Sequence, residues 1–203
     1  MTHARKLLIA STNRKKTAEM AQILSAADLP VEIVTLAEYP DAPEVQETGA
    51  TFMENARLKA TRAAAHTGLV SIADDGGLAI DALGGAPGVQ SHRFLGADTS
   101  FPVKMTHIIE LLKDKTDAVR TCRFHCAVVI ATPDGQVFES EGTCEGQIAR
   151  VMRGTYGFGY DPIFLLPQLG KHMAEIPPET KHTISHRGKA LASAIVHLRR
   201  LFA

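Results

Sequence analysis

The order of the first 36 residues constrains the fold most. "KLLIA" (6–10) is a short apolar run. "STN" (11–13) then offers three residues suited to helix N-caps. "RKKTAEMAQILSAA" places Met20, Ile23 and Leu24 at helical spacing, and "VEIVTL" (31–36) is a second apolar run. This reads as strand, helix, strand, and such a connection is normally a right-handed crossover between parallel strands.

The remaining segments extend that beginning. A polar, Pro-containing loop, "AEYPDAPEVQETG", leads into a predicted helix in "TFMENARLKATRAAAHTG". There Phe52, Ala56, Ala60, Ala63 and Ala64 form a narrow apolar stripe, and Gly68 stops the helix. "LVSIA" reads as a third strand that ends on Asp74 and Asp75, and "GGLAIDALGGAPGV" as a glycine-rich irregular stretch. "KMTHIIELLKD" predicts a short helix. "CRFHCAVVIATPDGQVFESEGTCEGQIA" alternates about a turn at Pro133-Asp134-Gly135, the mark of a long hairpin. The last predicted helix carries Leu191, Ala194, Ile195, Leu198 and Leu201 on one face. The expected fold is α/β, a mixed sheet flanked by helices, in one domain over residues 1–203.

Charge and cysteine content narrow the function. Lys plus Arg equals Asp plus Glu, 22 each, so there is no basic excess of the kind nucleic-acid binders carry. No nucleic-acid partner is expected, and any bound anion should be small and held locally. Cys122, Cys126 and Cys144 cannot all pair within the chain. Cys122, Phe124 and Cys126 share one strand face, the pattern of small core residues rather than of a metal site with His125. The apolar run Leu7 to Ala10 is too short for a signal-peptide core, and no run approaches a membrane span. A soluble cytoplasmic protein with no membrane partner is expected.

Four stretches could carry chemistry. In "ASTNRKK" a strand runs into a helix N-terminus, where unpaired backbone N–H groups meet Ser11, Thr12 and Asn13, with Lys15 and Lys16 in the first turn. A cation there opposes the helix dipole unless an anion lies between them; ordinary capping with solvated lysines is the other reading. Asp74 and Asp75 are either a solvated turn or a pair holding a cation, because two nearby carboxylates repel. Hard oxygen ligands of this kind suit Mg²⁺, and Glu47 and Glu54 could add oxygens. Asn55 and Lys59, four apart, share a helix face towards the same place. "GTYGFGYDPIF" reads either as an aromatic platform with glycines for close approach or as a bent strand with core aromatics. "ETKHTISHRG" gathers Lys181, His186 and Arg187 near a helix start, and Arg suits the O6 and N7 of a purine. His182 and His186 lack the glutamate of a zinc H-E-x-x-H motif.

Taken in order, "STNRKK", "ETGATFMENARLKA", "IADDGGLAIDALGGAPGVQSHRF", "RFHC", "GFGYDPIF" and "KHTISHRGKAL" resemble the inosine/xanthosine triphosphate pyrophosphatases, a house-cleaning family that hydrolyses aberrant purine nucleoside triphosphates. The resemblance covers nearly the whole chain. It implies an elongated mixed sheet with a cleft at the carboxyl ends of the parallel strands, usually in a homodimer. The implied reaction is Mg²⁺-dependent cleavage of (d)ITP or (d)XTP to the monophosphate and pyrophosphate. By that likeness Asp75 accepts the proton of the attacking water and binds metal, with Glu47, Asp74 and Gln46 around it. Ser11, Asn13, Lys16 and Lys59 are implied on the phosphate side, and Thr12, Arg14, Lys15 and Gly76 as further substrate-binding residues. Phe158, Gly159, Tyr160 and Asp161, with Lys181, His186 and Arg187, form the nucleoside pocket. That pocket favours a 6-keto purine, because a 6-amino group brings a donor to a site that already offers donors.

Two positions depart from the family pattern. Gln46 stands where relatives commonly have a second acid, and Gly76 where they often have Ser, which should weaken the metal shell and alter fine specificity. Two rival readings are a Maf-like enzyme cleaving the same bond, against which "FGYD" and "SHR" argue, and a nucleotide-binding regulator without catalysis, for which Gln46 is the hint.

Overall fold

The computed structural model describes residues 5–203. Seven strands form one sheet: β1 (Lys6–Ile9), β2 (Glu32–Thr35), β3 (Val70–Ile80), β4 (Thr121–Ala131), β5 (Val137–Ile148), β6 (Phe164–Leu166) and β7 (Lys171–His172). Five helices accompany them: α1 (Arg14–Ser25), α2 (Phe52–Thr67), α3 (Phe101–Leu111), α4 (Pro178–Ile184) and α5 (His186–Leu201). The strand order is β2-β1-β3-β4-β5-β6-β7. β1 runs parallel to both β2 and β3, as the opening strand–helix–strand pattern requires, while β5–β6 and β6–β7 are antiparallel, so the sheet is mixed. The expected hairpin closes at Gly135, whose N–H donates to Thr132 O at 3.0 Å.

The chain packs as two compact units. The first holds the chain up to Asp75, Cys126–Gly142 and Arg187–Ala203; the second holds Gly76–His125 and Thr143–His186. In the first unit the sheet is covered on both faces. Leu7 and Ile9 of β1, with Ile72 of β3, pack with Met20 and Leu24 of α1 and Leu191 and Leu198 of α5. Their strand neighbours Leu8, Ala10 and Ala73 point the other way, into a layer with Ala56, Ala60, Ala63 and Ala64 of α2. The alanine stripe predicted for α2 is therefore its buried face, and small side chains let helix and sheet approach closely. Thr51 and Glu54 cap α2 reciprocally, and Gly68 ends it in the left-handed conformation.

The second unit has its own core. Leu78 and Ile80 pack there with Met105 and Ile108 of α3, Cys122 and Phe124 of β4, and Phe164. Arg120, fully buried, ties this unit's loops together through carbonyls of Leu112, Ile148 and Ala149. All three cysteines are free and buried, in keeping with core residues rather than a disulfide framework.

One strand boundary differs from expectation. β3 does not stop at the acids but continues through Gly76 and Gly77 to Ile80. The glycines read as turn residues, yet Leu78 and Ile80 beyond them are completely buried. Burial of alternate residues outweighs the local turn preference. Asp74 and Asp75 thus lie inside a strand, beyond the point where its parallel neighbour β1 has ended.

Candidate active site

Because β3 stays extended, successive side chains alternate between faces, and the two acids separate. Asp74 follows the side of Ile72, towards α1 and α5. Asp75 follows the side of Ala73, towards α2. Their contacts agree. Asp74 is fully buried, and its Oδ2 accepts from Arg187 Nε at 3.0 Å and Nη2 at 2.8 Å. Asp75 Oδ2 accepts from Asn55 Nδ2 at 3.1 Å, and its Oδ1 lies 3.7 Å from Lys59 Nζ. Lys16 Nζ stands 3.6 Å from Asp74 Oδ2 and 3.6 Å from Asp75 Oδ1, so it reaches both.

Identical side chains therefore acquire opposite properties. Burial alone would push Asp74 up, but Lys16, Arg187 and Lys59 outweigh it and hold this carboxyl well below the usual carboxylate range. For Asp75, burial is the largest influence and the charge of Glu47 adds to it. Lys59, Lys16 and the Asn55 hydrogen bond only partly compensate, and this carboxyl is shifted upward. Lys59 is shifted up as well: burial disfavours its charge, but Asp75, Asp74 and Glu47 more than restore it. Two carboxyls pushed apart in this way are the kind of pair from which acid and base roles can be built.

The α1 N-terminus belongs to the same unit. Asn13 is its N-cap, with Oδ1 accepting from the backbone N–H of Lys15 at 3.1 Å and of Lys16 at 3.2 Å. Ser11 Oγ accepts from Asn13 N–H at 3.3 Å, and Ser11 O accepts from Thr17 Oγ1. Ser11 and Asn13 are half-buried, whereas Thr12, Arg14 and Lys15 are exposed. Of the cations expected here, Lys16 is the one aimed at the acids.

The expected metal residues are partly gathered. Glu47 Oε1 accepts from Lys59 Nζ at 2.7 Å, so Glu47 and Asp75 both lie on one ammonium. Gln46 is exposed. Glu54 is committed elsewhere: its carboxylate accepts from the N–H groups of Ala50 and Thr51 at the start of α2. Among the described residues no group of three or more His, Cys, Asp or Glu side chains converges as a metal cage.

Arg187 sits differently from the expectation of a base-reading residue. It is 3% exposed and donates to two acids, twice to Asp74 and once from Nη1 to Glu19 Oε2 at 2.6 Å. The reason is proximity in the fold: α5 covers the face of β3 that Asp74 occupies, and an unpaired buried carboxylate would be costly. Burial works against its charge, but Asp74, Cys126 and Glu19 raise its affinity for the proton further. Glu19 was not singled out from the sequence. Its signal was its position three residues after Lys16 and directly before the core residue Met20.

In the second unit the loop 154–161 forms a separate cluster. Asp161 Oδ2 accepts from Lys181 Nζ at 2.7 Å and from Phe158 N–H at 2.9 Å, and the Lys181 ammonium lies 5.2 Å from the Phe158 ring centroid. A Cβ on Gly157 would overlap Asp161 Oδ2, and its φ of +73° suits glycine. The aromatics divide between the two readings. Tyr160 is core, its hydroxyl donating to Ser91 O at 2.8 Å and its ring set edge-on to Phe101. Phe158 is half-buried beside Gly159 and Tyr156 is exposed. His186 stacks on Phe124 at 4.7 Å, and Phe124 stacks on Phe164 at 4.3 Å. Gly76 is half-buried. Among the described residues no helix is long and apolar enough to cross a membrane.

The Ham1 family profile matches residues 7–197. A dITP/XTP pyrophosphatase of Desulforamulus reducens is 43% identical over 197 residues, covering 97% of each chain. One from Geobacillus kaustophilus is 46% identical over 187 residues, 92% of this chain and 91% of the relative. Among solved structures, a HAM1 protein from Coxiella burnetii superposes with a TM-score of 0.86 at 40% identity, covering 97% of this chain and 99% of the other. A nucleoside-triphosphatase / dITP/XTP pyrophosphatase from Mycobacterium abscessus gives 0.73 at 42% identity, covering 93% and 98%. Matched by its profile, by relatives over nearly full length and by their folds, the chain belongs to the Ham1 family.

Proposed function

We propose that this chain hydrolyses non-standard purine nucleoside triphosphates, ITP and XTP and their deoxy forms, to the monophosphate and pyrophosphate, with residues 1–203 acting as one catalytic domain. The observation that carries the reading is the split acid pair: Asp75 shifted up and Asp74 held as an anion, with Lys16 and Lys59 beside them. The names of the relatives supply the substrate class.

The residues fit Mg²⁺. This ion needs only one or two carboxylates, because it keeps waters and takes further oxygens from substrate phosphates. Glu47 and Asp75 already converge on a single cation, the Lys59 ammonium, and Asp74 Oδ1 is buried with no hydrogen-bond partner among the described residues. Asp75 and Glu47 would hold the ion, with Asp74 and Gln46 as flanking oxygen groups. When bound, the ion neutralises phosphate charge and makes water more acidic.

The protein's own groups then divide the work. Asp75 takes the proton of a water whose oxygen attacks the α-phosphorus, and the bond from that phosphorus to the bridging oxygen breaks, releasing pyrophosphate. A carboxyl shifted up from its ordinary value is better matched to receiving that proton. Lys16 and Lys59 offset charge on the phosphates, aided by the α1 N-terminus at Ser11 to Asn13. The cluster of Phe158, Asp161 and Lys181 is assigned to the purine, with Lys181 as a donor that suits a 6-keto group. A homodimer is expected from the likeness to the family.

The test is pyrophosphate release from ITP and from ATP, with Mg²⁺ and with chelator, by the wild type and by Asp75→Asn. The expected result is Mg²⁺-dependent release from ITP, far less from ATP, and none by a folded Asp75→Asn. Normal turnover in that variant would remove Asp75 from its role. No release from either nucleotide, with ITP still bound, would favour a binding regulator.

A further inference from the structure

Asn55 is completely buried in the first turns of α2, and both ends of its amide are used. Its Oδ1 accepts from the backbone N–H of Gly49 at 2.7 Å, and its Nδ2 donates to Asp75 Oδ2 at 3.1 Å. The orientation of this amide is not ambiguous. A backbone N–H can only donate, so the atom facing Gly49 must be the oxygen, and the NH₂ must face Asp75. The fit is tight: a Cβ at Gly49 would lie 2.7 Å from Asn55 Oδ1 and 2.7 Å from Glu54 Cβ, so the loop backbone rests directly on this side chain. Glu54 pins the same stretch from the other side through Ala50 and Thr51.

The two oxygens of Asp75 are thereby made different. Oδ2 is anchored by a neutral donor on a rigid helix. Oδ1 is the atom that Lys16 and Lys59 both approach, at 3.6 and 3.7 Å. The loop that Asn55 holds through Gly49 is the one that carries Gln46 and Glu47, and Glu47 shares Lys59 with Asp75.

We infer that Asn55 is a positioning residue that fixes Asp75 by Oδ2, leaves Oδ1 turned towards Lys16 and Lys59, and locks the Glu47 loop to it. This rests on the reading of Asp75 as proton acceptor. Asn55 is fully buried and bonded at both ends of its amide to protein groups, so its removal is expected to disturb the geometry of the chemical step rather than substrate binding.

The experiment compares Asn55→Asp and Asn55→Ala with wild type, measuring kcat and KM for ITP, the ITP-to-ATP preference, and Tm. Asn55→Asp matches the size and still accepts from Gly49, but it places a carboxylate where Asp75 needs a donor. Loss of an orienting partner of this kind lowers kcat roughly ten- to a hundredfold. The expected result is that fall in both variants, with KM for ITP within about twofold of wild type and the base preference unchanged. Should Asn55→Ala not fold, Asn55→Asp decides alone. Wild-type kcat in a folded Asn55→Asp, with or without a lower Tm, overturns the inference and leaves Asn55 a structural residue. A changed ITP-to-ATP ratio also overturns it, by making Asn55 a substrate contact. Failure of the underlying reading looks different: wild type itself then releases no pyrophosphate from ITP, or Asp75→Asn remains active.

Discussion

Replacing Arg187 by Met tests whether this side chain braces the acid pair or reads the base. The guanidinium donates twice to Asp74 and once to Glu19, all within the interior of the first unit: the three residues are 3%, 0% and 8% exposed. Methionine fills much of the volume but takes the guanidinium away from two buried carboxylates, while Lys16 stays 3.6 Å from Asp74. Breaking a buried pair by removing one partner costs about 3–5 kcal/mol. At roughly 2–4 °C per kcal/mol for a chain of this length, Tm should fall by about 6–20 °C at neutral pH. The pH dependence has a definite sign. Asp74 is held below its unfolded value, so its contribution to stability is present above the ordinary carboxylate range and is lost as pH falls through the folded value. The gap in Tm between wild type and Arg187→Met should therefore narrow in acid. Scanning fluorimetry between neutral pH and pH values below the carboxylate range measures this, and pyrophosphate release from ITP and ATP gives the selectivity. The bracing role predicts a lower Tm with the ITP preference kept. A native Tm with a changed ITP-to-ATP ratio refutes it and returns Arg187 to the base pocket.

Three further outcomes are expected. Gly157→Ala places a methyl group on Asp161 Oδ2 at a φ of +73°, so it should separate Asp161 from Lys181 and lower Tm by several degrees while weakening ITP binding; a native Tm and KM would show that the loop relaxes freely. Cys126, buried and with its thiol pushed up to about 12 by burial and by Asp74, should resist iodoacetamide at pH 8 in the native protein and react in guanidinium, as mass spectrometry can follow. Asp75→Asn removes a charge that burial disfavours, so Tm should be equal to or above that of wild type; a marked drop would mean that Lys16 and Lys59 depend on the anion for the fold.

Much of this was legible in the sequence, and the failures have physical causes. The β1–α1–β2 opening, the alanine face of α2 and the β4–β5 hairpin follow from periodicity and turn residues, which are local signals. Arg187 was not legible as a partner of Asp74, because the two are 113 residues apart and only the placement of α5 brings them together. For Tyr160 the sequence left platform and core side by side, because only burial in the second core decides its side. The acid pair is the sharpest case. Reading two glycines as a turn hid the alternation that separates Asp74 from Asp75. Yet "IADD" contains the clue: Ile72 belongs to the layer with the large side chains of α1 and α5, and Ala73 to the layer with the alanines of α2. Carrying that parity two residues further sends Asp74 towards an arginine and Asp75 towards an asparagine and a lysine. Strand alternation alone thus gives two identical carboxylates opposite surroundings, one held well below the usual carboxylate range and the other shifted above it, a division that no count of charged residues could reveal.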